Sequence, residues 1–395
     1  MYLMFNHLCK DPFRFFFPLA IACLLYGCSL WFTYAFFGIG EAPITQHATL
    51  FVGGFLYFSI LGFLLTAIPR FTGSNFLSLW ELVIFIVHLM GVVFSYFLDS
   101  HIFYWAFIAS GWVTFLFFAV PRFVVRKQNP PFTFVFVGLG VVLGLLGSSL
   151  NFLAALESGI FGALKPWGKL FFYDGMVTCF ILGVGGRLIP GILGFVESVA
   201  EQRRRYEQPK RFLSIIPRDI IFAFIAFILS LVLEGFGLVS TAFVIRGIVI
   251  TYFSFKYWRL HEKVKSQKWH GKVLKLSCFM LLFGSWVICF GTEYTIHFKH
   301  LIYIGSYCLM TLMVASRVIV AHSNESLDIE FKKWPALALG IILLIAAFTR
   351  ASALFIEGSY IRHLGYTALM LGIAVLIWIS VYFKKVLFHF SEENN

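Results

Sequence analysis

Apolar residues in this chain run almost unbroken for about 20 positions at a time, separated by short polar breaks, and that length carries one helix across the hydrocarbon core of a bilayer. Twelve such stretches are predicted, over 14–38, 47–69, 78–98, 101–120, 132–156, 171–194, 217–239, 240–257, 273–292, 300–321, 334–354 and 361–383. The cuts at 99–100 and near 239 rest on the fewest polar residues. The pattern predicts an all-α fold, a polytopic membrane bundle of about 12 transmembrane helices, with residues 1–395 forming a single integral membrane domain. The first stretch follows Lys10 and Arg14 like a signal peptide, but it is too long and lacks an A-x-A site. It is expected to stay as the first helix.

Composition removes the soluble alternative. Hydrophobic residues make up 60% of the chain and charged residues 13%, against about 45–50% and about 25% in soluble domains. A core of this size could not hide that much apolar surface.

The net charge of +12 would suggest nucleic acid in a soluble protein, but here it sorts by topology. With a cytoplasmic N-terminus, 23 of the 31 Lys and Arg fall in inner segments, five in outer ones, and three (Arg187, Arg246, Arg317) within spans. That asymmetry follows the positive-inside rule and predicts both termini in the cytoplasm. Arg203, Arg204, Arg205 and the run from Lys263 to Lys275 are expected against anionic head groups. The expected partner is the lipid bilayer, not nucleic acid. The seven cysteines form no C-x-x-C pair and read as small buried hydrophobes.

Ionisable residues inside spans mark function or a paired partner. His47, His101, His297, His300 and His363 fall near outer helix ends, and His88 near the middle of the third helix. His322 lies 22 residues beyond His300 on the tenth helix, roughly 33 Å away at 1.5 Å per residue. Those two cannot share one cofactor. His7, His261, His270 and His389 are expected to be solvated in loops or tails. Imidazoles on separate helices at one depth suit the two axial positions of a low-spin haem, or copper. Interfacial hydrogen bonding to head groups is the alternative. Arg187 and Arg317, predicted as buried charges in inner helix halves, need carboxylates, carbonyls or an anionic ligand, and Glu81 is one candidate partner. A structural ion pair and a functional one fit equally well.

Two weaker signals remain. Gly62-x5-Ile68-Pro69-x3-Gly73 echoes Gly183-x5-Ile189-Pro190-x3-Gly194, with each proline expected to close its helix. Gly140 and Gly144, at G-x-x-x-G spacing, are expected to permit close helix packing. No Walker loop or H-E-x-x-H occurs, and Gly183-x-Gly185-Gly186 lies inside a span with no strand before it.

Several segments together resemble the NnrS family, haem- and copper-containing membrane proteins of nitric oxide metabolism. Pro12-Phe13-Arg14-Phe15-Phe16-Phe17 is similar to that family's P-F-R-P-F-F at the start of its first helix. His47-Ala48, Gly54-Phe55, Gly62-Phe63-Leu64-Leu65-Thr66-Ala67-Ile68-Pro69 and Thr72-Gly73 resemble its H-A-H-E-M-x-x-G-F…G-F-L-L-T-A-V-P-N-W-T-G signature. Gly185-Gly186-Arg187-Leu188-Ile189-Pro190 resembles G-G-R-V-I-P. His300, Gly305, Ser316-Arg317-Val318 and Ala321-His322-Ser323 resemble H-x4-G…M-T-R-V-x-L-G-H-T-G. The chain departs from these motifs at Thr49, where the family has a second histidine, at Leu50 in place of its acidic residue, and at Asn324 in place of Gly.

The resemblance implies a haem-binding protein of the nitric oxide and nitrosative stress response or of denitrification, in the bacterial inner (cytoplasmic) membrane. His47 and His300 are the expected haem ligands, with His47, His300, His322 and His363 as the candidate metal-ligating side chains. Nitric oxide or another small molecule is the implied ligand. Copper is implied too, but Thr49 and Leu50 weaken it. Arg187, Arg317 and His322 match family positions without an evident role. The competing expectation is a secondary transporter of a small anionic solute held by Arg187 and Arg317. A Soret band separates the two.

Overall fold

The computed structural model describes residues 2–157, 159, 161–195, 212–323, 327–356 and 358–387. Among them every regular element is helical. Eleven helices are long and apolar enough to cross a membrane: α1 Phe13–Phe37, α2 Ile44–Thr72, α3 Leu79–Phe97, α4 His101–Val124, α5 Phe134–Leu156, α6 Gly162–Ile192, α8 Val239–Tyr257, α9 Trp269–Phe290, α10 Thr292–Ala321, α11 Lys333–Phe355 and α12 Tyr360–Val386. The remaining expected span is α7, Arg218–Gly235, 18 residues long with Arg218, Asp219 and Glu234 at its ends. A short helix, Tyr2–Lys10, precedes α1.

Both short breaks expected from the sequence are real turns. Asp99 (φ 51°) separates α3 from α4, and Gly237 (φ 84°) separates α7 from α8. Three helices start earlier than their hydropathy predicts. α2, α6 and α10 begin with polar-bearing turns, over Ile44–Ala48, Lys165–Lys169 and Thr295–Ile302. Each then passes through a π-helical segment: Thr49–Leu56 in α2, Leu170–Gly175 in α6 and Tyr303–Cys308 in α10. A π turn inserts extra residues into the ladder, so it rotates the helix face before it against the face after it. A fourth π segment, Phe253–Tyr257, ends α8. The helices α2, α10 and α6 are also the most enclosed, with 83%, 78% and 61% of their apolar windows buried.

The two glycine–proline motifs end alike, though not at the proline. α2 runs past Pro69 to Thr72 and α6 past Pro190 to Ile192. The stops are Gly73 (φ 64°) and Gly194 (φ 89°), left-handed positions that suit glycine. Ser74 N–H donates to the Pro69 carbonyl at 3.0 Å, completing the cap of α2.

The fold divides into two compact units. The first comprises residues 1–13, 62–191 and 196–238. Within it a Cβ on Gly144 would lie 2.6 Å from the Trp112 ring, and one on Gly140 3.1 Å from Phe180. That is the close packing expected of the pair. Ser78 caps α3 in a reciprocal box with Glu81. The second unit comprises residues 14–61, 192–195 and 239–395. There the buried Arg14 donates to the carbonyls of His322 (2.6 Å) and Val386 (3.1 Å), satisfying C-terminal groups of α10 and α12. All seven cysteines are free and six are buried, as their apolar surroundings predict. Arg203, Arg204, Arg205, Asn324 and His389 lie outside the described residues.

Candidate functional site

The second unit gathers histidines where α2 and α10 begin. At Pro43 the chain turns into α2, and one turn later the Nδ1–H of His47 donates to the Pro43 carbonyl at 2.7 Å. The His47 ring stands edge-on to Trp31 of α1, centroids 5.5 Å apart. On α10 the Nδ1–H of His300 donates to the Ile296 carbonyl, also at 2.7 Å. The two helices meet one turn further along, where Phe51 lies 6.4 Å from Tyr303, itself 5.9 Å from the His300 ring. His47 and His300 are each half-buried.

The hydrogen bonds separate these histidines by tautomer. Because Nδ1 of His47 and of His300 faces a carbonyl, it must carry the proton, which leaves a lone pair on each Nε2. Metal-binding imidazoles are held in this way by an outer hydrogen bond. His297, one turn before its neighbour His300, has the opposite arrangement. Its Nδ1 accepts a hydrogen bond from Nη1 of Arg350 at 2.9 Å, so its Nε2 carries the proton and offers no lone pair.

A family model described as NnrS protein matches residues 7–388, nearly the whole chain. The chain belongs to the NnrS family. No curated protein and no solved structure matches it.

Of the four candidate ligands in this NnrS-family protein, His47 and His300 stand at the starts of two helices that touch through Phe51 and Tyr303. His322 caps the far end of α10, with Nδ1 at 2.8 Å from the Val318 carbonyl. His363, on α12, holds its Nδ1 against the Ser359 carbonyl at 3.0 Å. It lines a hollow of about 410 Å³ between α11 and α12, with Ile345, Thr349, Tyr366 and Met370. Among the described residues no hydrogen bond or ring contact joins His363 to His47 or His300. The motif departures remove donors. The Thr49 hydroxyl donates to the Thr45 carbonyl at 2.9 Å, and Leu50 is buried. Among the described residues no group of three or more His, Cys, Asp or Glu converges. Among the described residues the donors do not make up a three-ligand copper centre.

The arginines differ from expectation. Glu81 does not serve Arg187 or Arg317. It forms a two-pronged pair with Arg122, 2.8 Å to each oxygen, while its side chain also caps α3. Arg187 is half-buried, with its guanidinium 5.2 Å from the Phe71 ring centre. Arg317 pairs at 2.7 Å with Glu330, whose other oxygen takes Lys268 at 2.6 Å. Burial pushes the Glu330 carboxyl up, but the bonds from Lys268 and Arg317 outweigh it and hold the group below its usual range. His270 is not solvated. It is 1% exposed, in the first turn of α9 and within the field of Glu330. The charge asymmetry counts Arg350 among the five outer charges and does not reveal its bond to His297. The available signal was a lone arginine ending an apolar helix at the same predicted depth as His300.

Proposed function

We propose that this NnrS-family protein binds haem between His47 and His300 and serves nitric oxide metabolism in the nitrosative stress response or denitrification. In this reading residues 1–395 act as one membrane domain of twelve spans in a bacterial inner membrane, both termini cytoplasmic, as the Lys and Arg asymmetry supports. The observation that carries the haem reading is two imidazoles at the starts of helices that touch through Phe51 and Tyr303, each with Nδ1 tied to a carbonyl and Nε2 left with its lone pair.

A haem bound there would supply a one-electron redox couple at its iron. The chain's own part is orientation and enclosure. The carbonyls of Pro43 and Ile296 fix the ring planes of His47 and His300, so little rotational freedom is lost when a ligand engages them. Trp31 and Tyr303 pack edge-on against the two imidazoles. No step is assigned to copper, because among the described residues no three donors converge.

Full-length protein purified in detergent tests this reading. The parent is expected to show a Soret band with haem in a fixed ratio to protein, and His47→Ala and His300→Ala are each expected to lose it. A parent without a Soret band, or two variants that both keep the parent's absorbance and stoichiometry, would overturn the assignment.

A further inference from the structure

Arg350 has no role in the reading above, yet it lies in the same cluster. It lies in the last α-helical turn of α11, before the Ala353–Phe355 turn, as the only charged residue among Phe348, Thr349, Ala351 and Ser352. A half-buried guanidinium in a membrane helix is costly unless an anion or several acceptors meet it. Two of its contacts are known and both are neutral. Nη1 donates to Nδ1 of His297, and the Tyr360 ring centre lies 5.9 Å from the guanidinium carbon. Among the described residues no carboxylate pairs with it. A guanidinium has five N–H donors in a planar fork, so these contacts leave most of the fork unused. His297 and Tyr360 also support each other, with ring centroids 6.0 Å apart, and together they hold the fork in place.

We infer that Arg350, held by His297 and Tyr360, is a receptor for a carboxylate or a similarly planar oxyanion beside the His47–His300 pair. Positive charge with spare paired donors, among neutral imidazoles, matches a planar two-oxygen anion better than a neutral or cationic ligand. His297 takes that bond one helical turn before His300 on α10, so the anion would sit next to the His300 end of the pair rather than at a separate place. Two sources share this chemistry: the carboxylate arm of a haem held by His47 and His300, or a small free oxyanion. The first source rests on the haem reading and the second does not.

The test compares the parent with Arg350→Gln and Arg350→Lys, all full length in detergent, in two arms. The first arm measures the rate at which haem passes to an excess of an external haem-binding acceptor. The second measures nitrite binding to protein made in haem-deficient cells, with nitrite as a planar oxyanion probe. A carboxylate arm of haem predicts at least tenfold faster haem loss in Arg350→Gln, with the parent's Soret position retained. Arg350→Lys, which keeps charge but not the fork, is expected to fall in between. A free oxyanion predicts unchanged haem loss and at least tenfold weaker nitrite binding in Arg350→Gln. If the parent takes up no haem, the haem reading fails, while weaker nitrite binding in the variant still supports the subsite. Should Arg350→Gln fail to fold, Arg350→Lys decides on a threefold change in either arm. The inference is overturned if neither arm changes in the folded variants.

Discussion

Arg317 and Glu330 meet at 2.7 Å although thirteen residues separate them, because the chain leaves α10 and folds the Leu327–Glu330 turn back against it. Lys268, at the start of α9, takes the other carboxylate oxygen at 2.6 Å. With Glu330 only 3% exposed, one acid joins two basic groups from different helices. Removing that acid leaves two cations facing each other, and breaking a buried pair of this kind costs about 3 kcal/mol. Glu330→Gln is therefore expected to lower the thermal midpoint of the detergent-solubilised protein clearly, while Glu330→Asp recovers part of the loss.

The same cluster sets an acid limit. The folded Glu330 carboxyl titrates below its unfolded value, because Lys268 and Arg317 stabilise the ionised form despite burial. A depressed carboxyl contributes stability above its unfolded pKa, near pH 4.5, and loses that contribution as the pH falls through the folded value. Melting between pH 7 and pH 3 should show the parent destabilising at the acid end, with Glu330→Gln flatter over the same range. Parallel curves would contradict this account.

Tautomer, rather than position, is expected to separate His297 from its neighbours. His300 lies three residues on and presents a lone pair at Nε2, whereas the Nδ1 of His297 is engaged by Arg350. His297→Leu should keep the Soret band that His47→Leu and His300→Leu lose. Pyridine haemochrome assays on the three purified proteins check it.

In the first unit, Arg122 meets Glu81 with both prongs of its fork and also lies 3.9 Å from the Phe118 ring centre. Lysine could replace the charge but not the paired geometry. Arg122→Lys should cost about 1–2 kcal/mol, and the Arg122/Glu81 double-mutant cycle should give a coupling of about 1–3 kcal/mol. Chemical denaturation in mixed micelles reads both.

Gly54 lies in the π segment that follows His47, and a Cβ there would come 2.7 Å from Cβ of Cys23 on α1. Overpacking at such a contact costs about 1–3 kcal/mol. Gly54→Ala should destabilise the protein and reduce its haem content. Cys23→Gly, which removes the opposing Cβ, should restore part of both in the double variant. Unchanged melting and haem content in Gly54→Ala would contradict the close approach.

Hydropathy was enough to reveal an all-helical membrane protein, because burying about 20 apolar residues in a bilayer needs only length and polarity. Eleven of the twelve expected spans meet that test in three dimensions, and the weakest breaks are the turns at Asp99 and Gly237. The motifs around His47, Arg187 and His300 were likewise readable as a linear string, and the family match over residues 7–388 agrees with them. Rotation about each helix axis was not readable. The π segments after His47 and His300 change which face each helix presents, and hydropathy averages over that change. Packing therefore settled that Glu81 serves Arg122, that His270 is buried, and that Arg350 engages His297 rather than a loop. Spans follow from transfer energies summed over many residues. Partners follow from ångström-scale register, which rests on how neighbouring helices interlock.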